Sequence, residues 1–467
     1  MTRSFTGCKR CKTRRQKCDE QRPVCRRCQA AGAKCQYITN LYWGGRGFSR
    51  SSFGDCMGSG NIKKLEYSRG EFVYTTTEVS SAPARLTRTV DPFSSLSARQ
   101  RTLLHHFIND ASRMTACHLR MQDNLCKMLI PMALQSPALL CAIAALSAVH
   151  LQALGTSQFQ SYFREEIASG AHGYNFNALL ATARTLCLAE IHAGAKYPNS
   201  WRAHVEGAKA LITSLKRGTS PPSTPLADKF QWYLNRWYWG IVSLTALTGN
   251  QPSITTSDKG AIDRVSFQGS HAPDYLDEYW GFTVELSAIF CRIGSLAHEA
   301  CTEAESAAVD FSIRRLMDHA KDSPPVFYPG VVEDLSVEYI YNFKLCNEAF
   351  QHSALIQLHR RLRKTPTHSP EIQRSVQRIL ECATLIGPSA GLSPWVMLNA
   401  PLFIAGCEAH GKERDLARQL LSALYSTIRV PNVLLSLEFL EQYWAQARIG
   451  EDWNQFAGRM QLDFIPY

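Results

Sequence analysis

Six cysteines near the N-terminal end carry the chemistry most open to reading. The stretch CKRCKTRRQKCDEQRPVCRRCQAAGAKC spaces Cys8, Cys11 and Cys18 as C-x2-C-x6-C, and after six residues Cys25, Cys28 and Cys35 repeat that spacing. Zinc in a closed structural site takes four ligands in a tetrahedron. Two such ions have eight ligand positions, and only six thiolates are at hand, so two of the thiolates must serve both ions. The repeat therefore reads as two matching half-sites of a binuclear zinc cluster, whose six thiolates against two Zn2+ leave a charge of −2.

Other uses of the cysteines fit less well. A disulfide framework calls for a secretory signal, and MTRSFTGCKRC has no apolar h-region. A zinc scaffold with no nucleic acid is opposed by charge. Residues 1–35 hold 11 Lys and Arg against 2 Asp and Glu; residues 36–100 add a net +3, and the remaining residues carry −1. The surplus of +11 thus sits beside the cysteines, which is the electrostatic footprint of phosphate binding. A zinc knuckle for single-stranded RNA would want aromatic side chains among the cysteines, and none lies between Cys8 and Cys35.

The spacing, with Lys9, Arg10, Lys12, Arg14, Arg15 and Lys17 between the first and third cysteines, closely resembles the fungal Zn2Cys6 DNA-binding domain over about thirty residues. That resemblance implies two Zn2+ with Cys8 and Cys25 as bridging ligands. It also implies that Arg14 and Arg15 occupy the place of a base-reading pair at the end of a short helix in the major groove of double-stranded DNA. Pro23 matches the family's loop proline, which is often cis. Here an Arg stands where the family usually carries the Lys that reads a G, and both residue types donate to guanine O6 and N7.

Positioning these groups falls to a chain of 467 residues, enough for two to four units. A module of some 35 residues cannot bury enough surface alone and needs its metal, whereas the remainder can build a core. The other ten cysteines, from Cys56 to Cys407, show no paired spacing and read as reduced, mostly buried thiols of an intracellular protein. The longest apolar run, Ala138 to Val149, is twelve residues, short of the ~20 that span a bilayer, so no membrane partner is expected.

After Cys35 the Gly- and Ser-rich stretch QYITNLYWGGRGFSRSSFGDCMGSG favours loop, and Gln36 to Gly60 shows no heptad seam of the kind that pairs helices. From about Leu96 the pattern turns helical. Leu139, Ile143, Leu146, Val149 and Leu154 recur near a 3.6 period after a Ser136-Pro137 start, an Ala-rich helix expected to be buried. Trp232 to Leu247 is apolar on nearly every face and predicts a helix inside an array. Further helices are expected at Trp201 to Lys216, Leu276 to Glu303, Val337 to Leu362, Glu371 to Ile386, Arg414 to Ile428 and Asn432 to Arg448. Strand-period segments are almost absent, so the architecture is all-α. PFSSLSARQRTLLHHFINDAS, followed by LIPMALQSPALLCAIAALSAVHLQAL, is similar to the opening of the fungal-specific transcription factor domain, carried by residues such as Leu104, His106, Phe107, Pro131, Pro137, Ala145 and His150. That resemblance implies a regulatory helical region, not an enzyme.

Other constellations have ordinary readings. His105, His106 and His150 sit among apolar neighbours as satisfied core or surface histidines, and His298-Glu299 lacks the second histidine of H-E-x-x-H. No P-loop, G-x-G-x-x-G or G-x-S-x-G occurs. The basic run His359, Arg360, Arg361, Arg363, Lys364 reads as a helix C-terminus ended by Pro366 rather than an import signal or a second phosphate contact. The aromatic stretch Trp232 to Trp239 reads as buried core before effector pocket.

The expectation is a small Zn2Cys6 binuclear-cluster domain at 1–38, a flexible linker at 39–95 and a large all-α regulatory domain, a helical array, at 96–467. Its function would be sequence-specific regulation of RNA polymerase II genes in the nucleus of a fungus. CGG-like triplets would be read by Arg14 and Arg15, with Lys9, Arg10, Lys12 and Lys17 on phosphates. Control of a metabolic or secondary-metabolite gene cluster fits that build. The transcription machinery is a partner, and any homodimer is left to the helical domain. The alternative is a helical metabolite-binding protein or enzyme tethered to DNA by the zinc module; no catalytic motif in 96–467 favours it.

Overall fold

A computed structural model describes residues 7–14, 16–37, 93–155, 176–194, 200–217, 225–248, 274–331, 333, 335–448, 450–462 and 465–467. The chain divides into two compact units, Met1–Val90 and Asp91–Tyr467. Within the first lie two short helices, α1 (Lys9–Thr13) and α2 (Arg26–Ala30), each just after the first cysteine of its triplet. The Gly- and Ser-rich stretch, its missing heptad seam and the linker fall almost wholly outside the described residues.

The second unit is a helical array. It contains α3 (Ala98–Asn109), α4 (Leu119–Ala133), α5 (Pro137–Ala153), α6 (Phe176–His192), α7 (Ser200–Arg217) and α8 (Pro225–Thr248). Beyond these come α9 (Val284–Leu296), α10 (Glu303–Asp322), α11 (Val337–Gln357), α12 (Pro370–Ile386), α13 (Asn399–Glu408), α14 (Lys412–Ile428), α15 (Pro431–Gln446) and α16 (Trp453–Arg459). Helix α5 packs between α3 and α6, and α6 against α7 and α8. A second group, α11 to α15, packs in sequence order, and α9 ties the two groups together through α8 and α11. Among the described residues the extended structure is one two-residue parallel pair, Tyr275–Leu276 (β1) with Val326–Phe327 (β2), in register Tyr275 to Val326.

Local chemistry sets the helix starts. Ser136 caps α5 by accepting from the Leu139 N–H, with Pro137 in the first turn where its missing donor costs nothing. Residues Leu139 to His150 are then all buried, as an Ala-rich helix without a polar face requires; Leu154, the last of the periodic set, lies past the helix end and is exposed. Ser97 with Gln100, and Thr302 with Glu305, form capping boxes for α3 and α10. The Trp280 indole lies against Gly240 of α8, where an added Cβ would overlap the ring; only glycine lets it approach.

One expected helix divides. Leu276 to Glu303 is β1, a turn, α9 and the cap of α10 rather than a single element. The turn is closed by the Gly281 N–H donating to the Asp277 carbonyl, and Gly281 takes a φ of +73° beside the Cys346 sulfur. A side chain there would meet both a steric and a backbone penalty.

Candidate metal centre and nucleic-acid interface

The six-cysteine stretch folds back on itself so that its two halves face each other. Cys25 is the N-cap of α2, its sulfur accepting from the Cys28 N–H at 3.4 Å. The Cys8 N–H points at the Cys18 sulfur at 3.5 Å, and seventeen residues on the Cys25 N–H points at the Cys35 sulfur at 3.4 Å. Sulfur–sulfur separations are 3.7 Å for Cys8–Cys25, 3.6 Å for Cys8–Cys28 and 3.8 Å for Cys11–Cys25. These are far beyond a disulfide's ~2.05 Å. They match the edge of about 3.8 Å that four sulfurs make when each lies ~2.3 Å from one zinc.

The sulfurs fall into two sets of four, each set within 4.8 Å: Cys8, Cys11, Cys18, Cys25 and Cys8, Cys25, Cys28, Cys35. Cys8 and Cys25 belong to both, which is the sharing that the ligand count demands. Five of the six cysteines are buried and Cys35 is half-buried. Burial pushes the Cys11 thiol well up, and the neighbouring sulfurs of Cys8 and Cys25 push it the same way. Six sulfurs packed this closely need divalent cations to hold them as thiolates. The donor set fits two zinc ions, the complement of this cluster domain.

The basic residues separate on inspection. Lys9, Arg14 and Lys17 are exposed. Arg10 is half-buried, its guanidinium donating to the Arg27 carbonyl oxygen at 3.5 Å. Lys12 lies within α1, and Arg15 falls outside the described residues. The Arg22-Pro23 bond is cis.

Two contributors lacked notice in the sequence. Tyr37 donates its hydroxyl to the Gln21 carbonyl at 2.8 Å, sits 3.8 Å from the Cys18 sulfur and carries Arg22 over its ring. It lies beyond the last cysteine, so cysteine spacing could not flag it. Lys34, exposed beside α1, stands seventeen residues after Lys17, and the repeat itself could have found it.

In the helical unit the basic run 359–363 is held internally, and Lys364 is exposed. Helix α11 continues through one π-type turn, Leu358–Leu362. There Arg360 pairs with the fully buried Glu408 carboxylate at 3.0 Å, and Arg361 donates to the Ala246 and Leu247 carbonyls at the end of α8, at 2.8 and 3.2 Å. Arg363 reaches Asp310 at 3.3 Å. The run does close its helix, but Arg361 caps the end of α8 rather than of its own helix. The aromatic stretch is mostly core: Tyr233, Trp237 and Tyr238 are buried and Trp239 half-buried, while Trp232 is exposed with Arg236 over its ring. Nearby, Cys117, Trp280, Phe350, Met397 and Tyr467 line a cavity of about 40 Å3. That is far below the ~300–1,000 Å3 of ordinary small-molecule pockets.

Comparison with known proteins follows the same division. Residues 6–42 match the fungal Zn(2)-Cys(6) binuclear cluster domain, and residues 102–467 match the fungal specific transcription factor domain. The Aspercryptin biosynthesis cluster-specific transcription regulator atnN of Emericella nidulans is 59% identical over 39 residues, 8% of this chain and 6% of that protein. The Zn(2)-C6 fungal-type transcription factor afumD of Aspergillus fumigatus is 60% identical over 35 residues, 8% of this chain and 9% of the other. The Thiamine biosynthesis regulatory protein of Saccharomyces cerevisiae is 44% identical over 41 residues, 9% of each. The match thus spans less than a tenth of the length of these relatives. No solved structure matches the chain. With the helical family model covering residues 102–467 behind a complete cysteine module, the chain belongs to the fungal specific transcription factor domain family and carries a Zn(2)-Cys(6) binuclear cluster domain.

Proposed function

We propose that the protein is a nuclear, sequence-specific regulator of transcription that binds double-stranded DNA through residues 1–38, with 39–95 as a flexible tether and 96–467 as the regulatory helical domain. The observation that carries this reading is the pair of four-sulfur sets sharing Cys8 and Cys25, set among exposed cations. All six cysteines act as ligands to two Zn2+, with Cys8 and Cys25 bridging. Zinc supplies the folding energy of the module and leaves the cationic side chains to do the reading. Arg14 and Arg15 take the major-groove edges of a CGG-like triplet, and Lys9, Arg10, Lys12 and Lys17 serve phosphates. Relatives named for a biosynthesis cluster and for thiamine biosynthesis support control of metabolic or secondary-metabolite genes. Any homodimer forms through the helical domain, and a long tether tolerates variable spacing between half-sites.

The test is binding of the zinc-loaded full chain to duplexes with one triplet, two inverted triplets at varied spacing, or random sequence, over a range of salt. Arg15→Ala relaxes preference at one base pair by about 1–3 kcal/mol. Lys9→Ala weakens every duplex alike and flattens the salt slope by about one. Equal losses on specific and random DNA for Arg15→Ala would remove it from base reading, and strict dependence on one spacing would contradict the flexible tether.

A further inference from the structure

The two halves of the cysteine module are structural repeats whose charges differ. Moving seventeen residues along carries Cys8 to Cys25 and, in step, Lys9 to Arg26, Lys17 to Lys34 and Asp19 to Gln36. The fold respects this correspondence. Gln16 N–H donates to the Cys11 carbonyl at 2.9 Å, and its counterpart Ala33 donates to the Cys28 carbonyl at 3.0 Å. The two amide-to-sulfur contacts, Cys8 to Cys18 and Cys25 to Cys35, likewise agree within 0.1 Å, at 3.5 and 3.4 Å.

The correspondence breaks where a helix starts. The Lys9 N–H donates to the main-chain carbonyl of Gln36 at 2.7 Å, whereas the matching Arg26 N–H donates to the side-chain carboxylate of Asp19 at 3.1 Å. On the first side an open groove of about 340 Å3 runs between α1 and the end of the second repeat. Lys9, Arg10 and Arg14 form one wall, and Lys34 and Gln36 the other. Among the described residues no carboxylate forms an ion pair with Lys9, Arg14 or Lys34. On the second side Asp19 places a negative charge at the start of α2, and the Arg26 guanidinium is held by the Gln21 side chain at 3.1 Å. With no carboxylate against Lys9, Arg14 or Lys34 this groove attracts an oxyanion, and a carboxylate at the corresponding place in the other half repels one.

We infer that the groove between α1 and Lys34 is a phosphate site of the module, with Lys34 as its unassigned ligand, and that Asp19 keeps anions from the corresponding position of the other half. This rests on the DNA-binding reading and deepens it. A nearly symmetric module is thereby given one phosphate-accepting face, which fixes which half lies on the nucleic-acid backbone. Lys17, the repeat counterpart of Lys34, keeps the weaker contact because Asp19 lies two residues away.

The experiment uses the zinc-loaded full chain, a triplet-bearing duplex and a random duplex, with affinity read against salt and zinc content read on each variant. Lys34→Ala is expected to lower the slope of log affinity against log salt by about 0.9 on both duplexes, one phosphate's worth, with two zinc ions retained and base preference unchanged. Lys17→Ala is expected to lower it by less. Asp19→Asn keeps an acceptor for the Arg26 N–H while removing the charge, and is expected to steepen the slope and bring the effect of Lys17→Ala up to that of Lys34→Ala. If Lys34→Ala leaves the slope unchanged, or Lys17→Ala lowers it as much in the presence of Asp19, the inference falls while the DNA-binding reading stands. If the unaltered protein binds no duplex, both fall.

Discussion

The two units of this chain are held together by different physics. In the cysteine module the buried side chains are Cys8, Cys11, Cys18, Cys25 and Cys28, with Cys35 and Tyr37 packed at the margin; its one large aliphatic side chain among the described residues, Val24, is exposed. The helical unit buries Trp201, Phe290, Phe343, Trp395, Phe403 and Phe456 almost completely, along with leucines from nearly every helix. A core of sulfur coheres only around metal, while a core of rings and branched chains coheres by leaving water. One unit is thus a switchable fold and the other a self-sufficient one, and each should be breakable without the other.

Metal removal is the largest effect expected. Structural zinc contributes roughly 10–16 kcal/mol of apparent folding free energy to peptides of this kind. A strong chelator should therefore unfold the module and abolish DNA binding, while thermal unfolding of the helical unit is unchanged. Cys25→Ser should lose both ions and Cys35→Ser fewer, since the Cys25 sulfur sits in both four-sulfur sets and Cys35 in one. Mass spectrometry counts the ions; a single zinc per chain, or a helical unit that melts with the chelator, would undo the contrast.

The reverse break lies in the basic run. Arg360→Met leaves Glu408, wholly buried, without the guanidinium that pairs with it at 3.0 Å. Removing one partner of a buried pair costs about 3–5 kcal/mol. The helical unit should lose that much by urea unfolding while the module keeps its zinc, and Lys364→Ala, at an exposed position in the same run, should cost almost nothing. Equal stability of the two variants would return Arg360 to the surface.

How far these features were legible depends on the range of the interaction that makes them. The cysteine spacing was readable because metal ligation imposes a fixed geometry on a short stretch, and α5 because Ser136, Pro137 and an uninterrupted apolar run act locally. The contact of Arg10 with the Arg27 carbonyl was not, since it depends on α2 arriving from the other repeat. Likewise Arg361 reads as a helix-end cation until the end of α8, more than a hundred residues earlier, is brought against it. The division of Leu276 to Glu303 escaped because LDEYWGFTVELSAIF keeps a helix-like apolar rhythm across the turn, and only Gly281, needed for a positive φ beside Cys346, betrays the break. Lys34 was in plain view once the two triplets were laid over each other.

The smallest expected effect also separates the two units, through acid. His106 Nε2 and His150 Nδ1 lie 3.0 Å apart between α3 and α5, both buried, with Asp110 3.3 Å from the other nitrogen of His106. Burial, and then the neighbouring His106, pushes His150 down to about 4; burial pushes His192 on α6 down to about 3. Both rings are therefore neutral in the folded unit at any ordinary pH. In the unfolded chain each titrates near 6.5. Below that value the unfolded chain binds protons that the folded one refuses, so stability is full above about pH 6.5 and declines as pH falls toward the folded values. At pH 5.5 each histidine should cost about 1 kcal/mol. Urea unfolding of the helical unit followed by tryptophan fluorescence from pH 7.5 to 5.5 should show this loss. His150→Gln, which keeps a hydrogen-bonding partner for His106 and removes the titration, should reduce the proton uptake on unfolding by nearly one. An unchanged pH slope in that variant would mean that His150 is charged in the folded protein, and that this core, like the cysteine module, holds a charge inside.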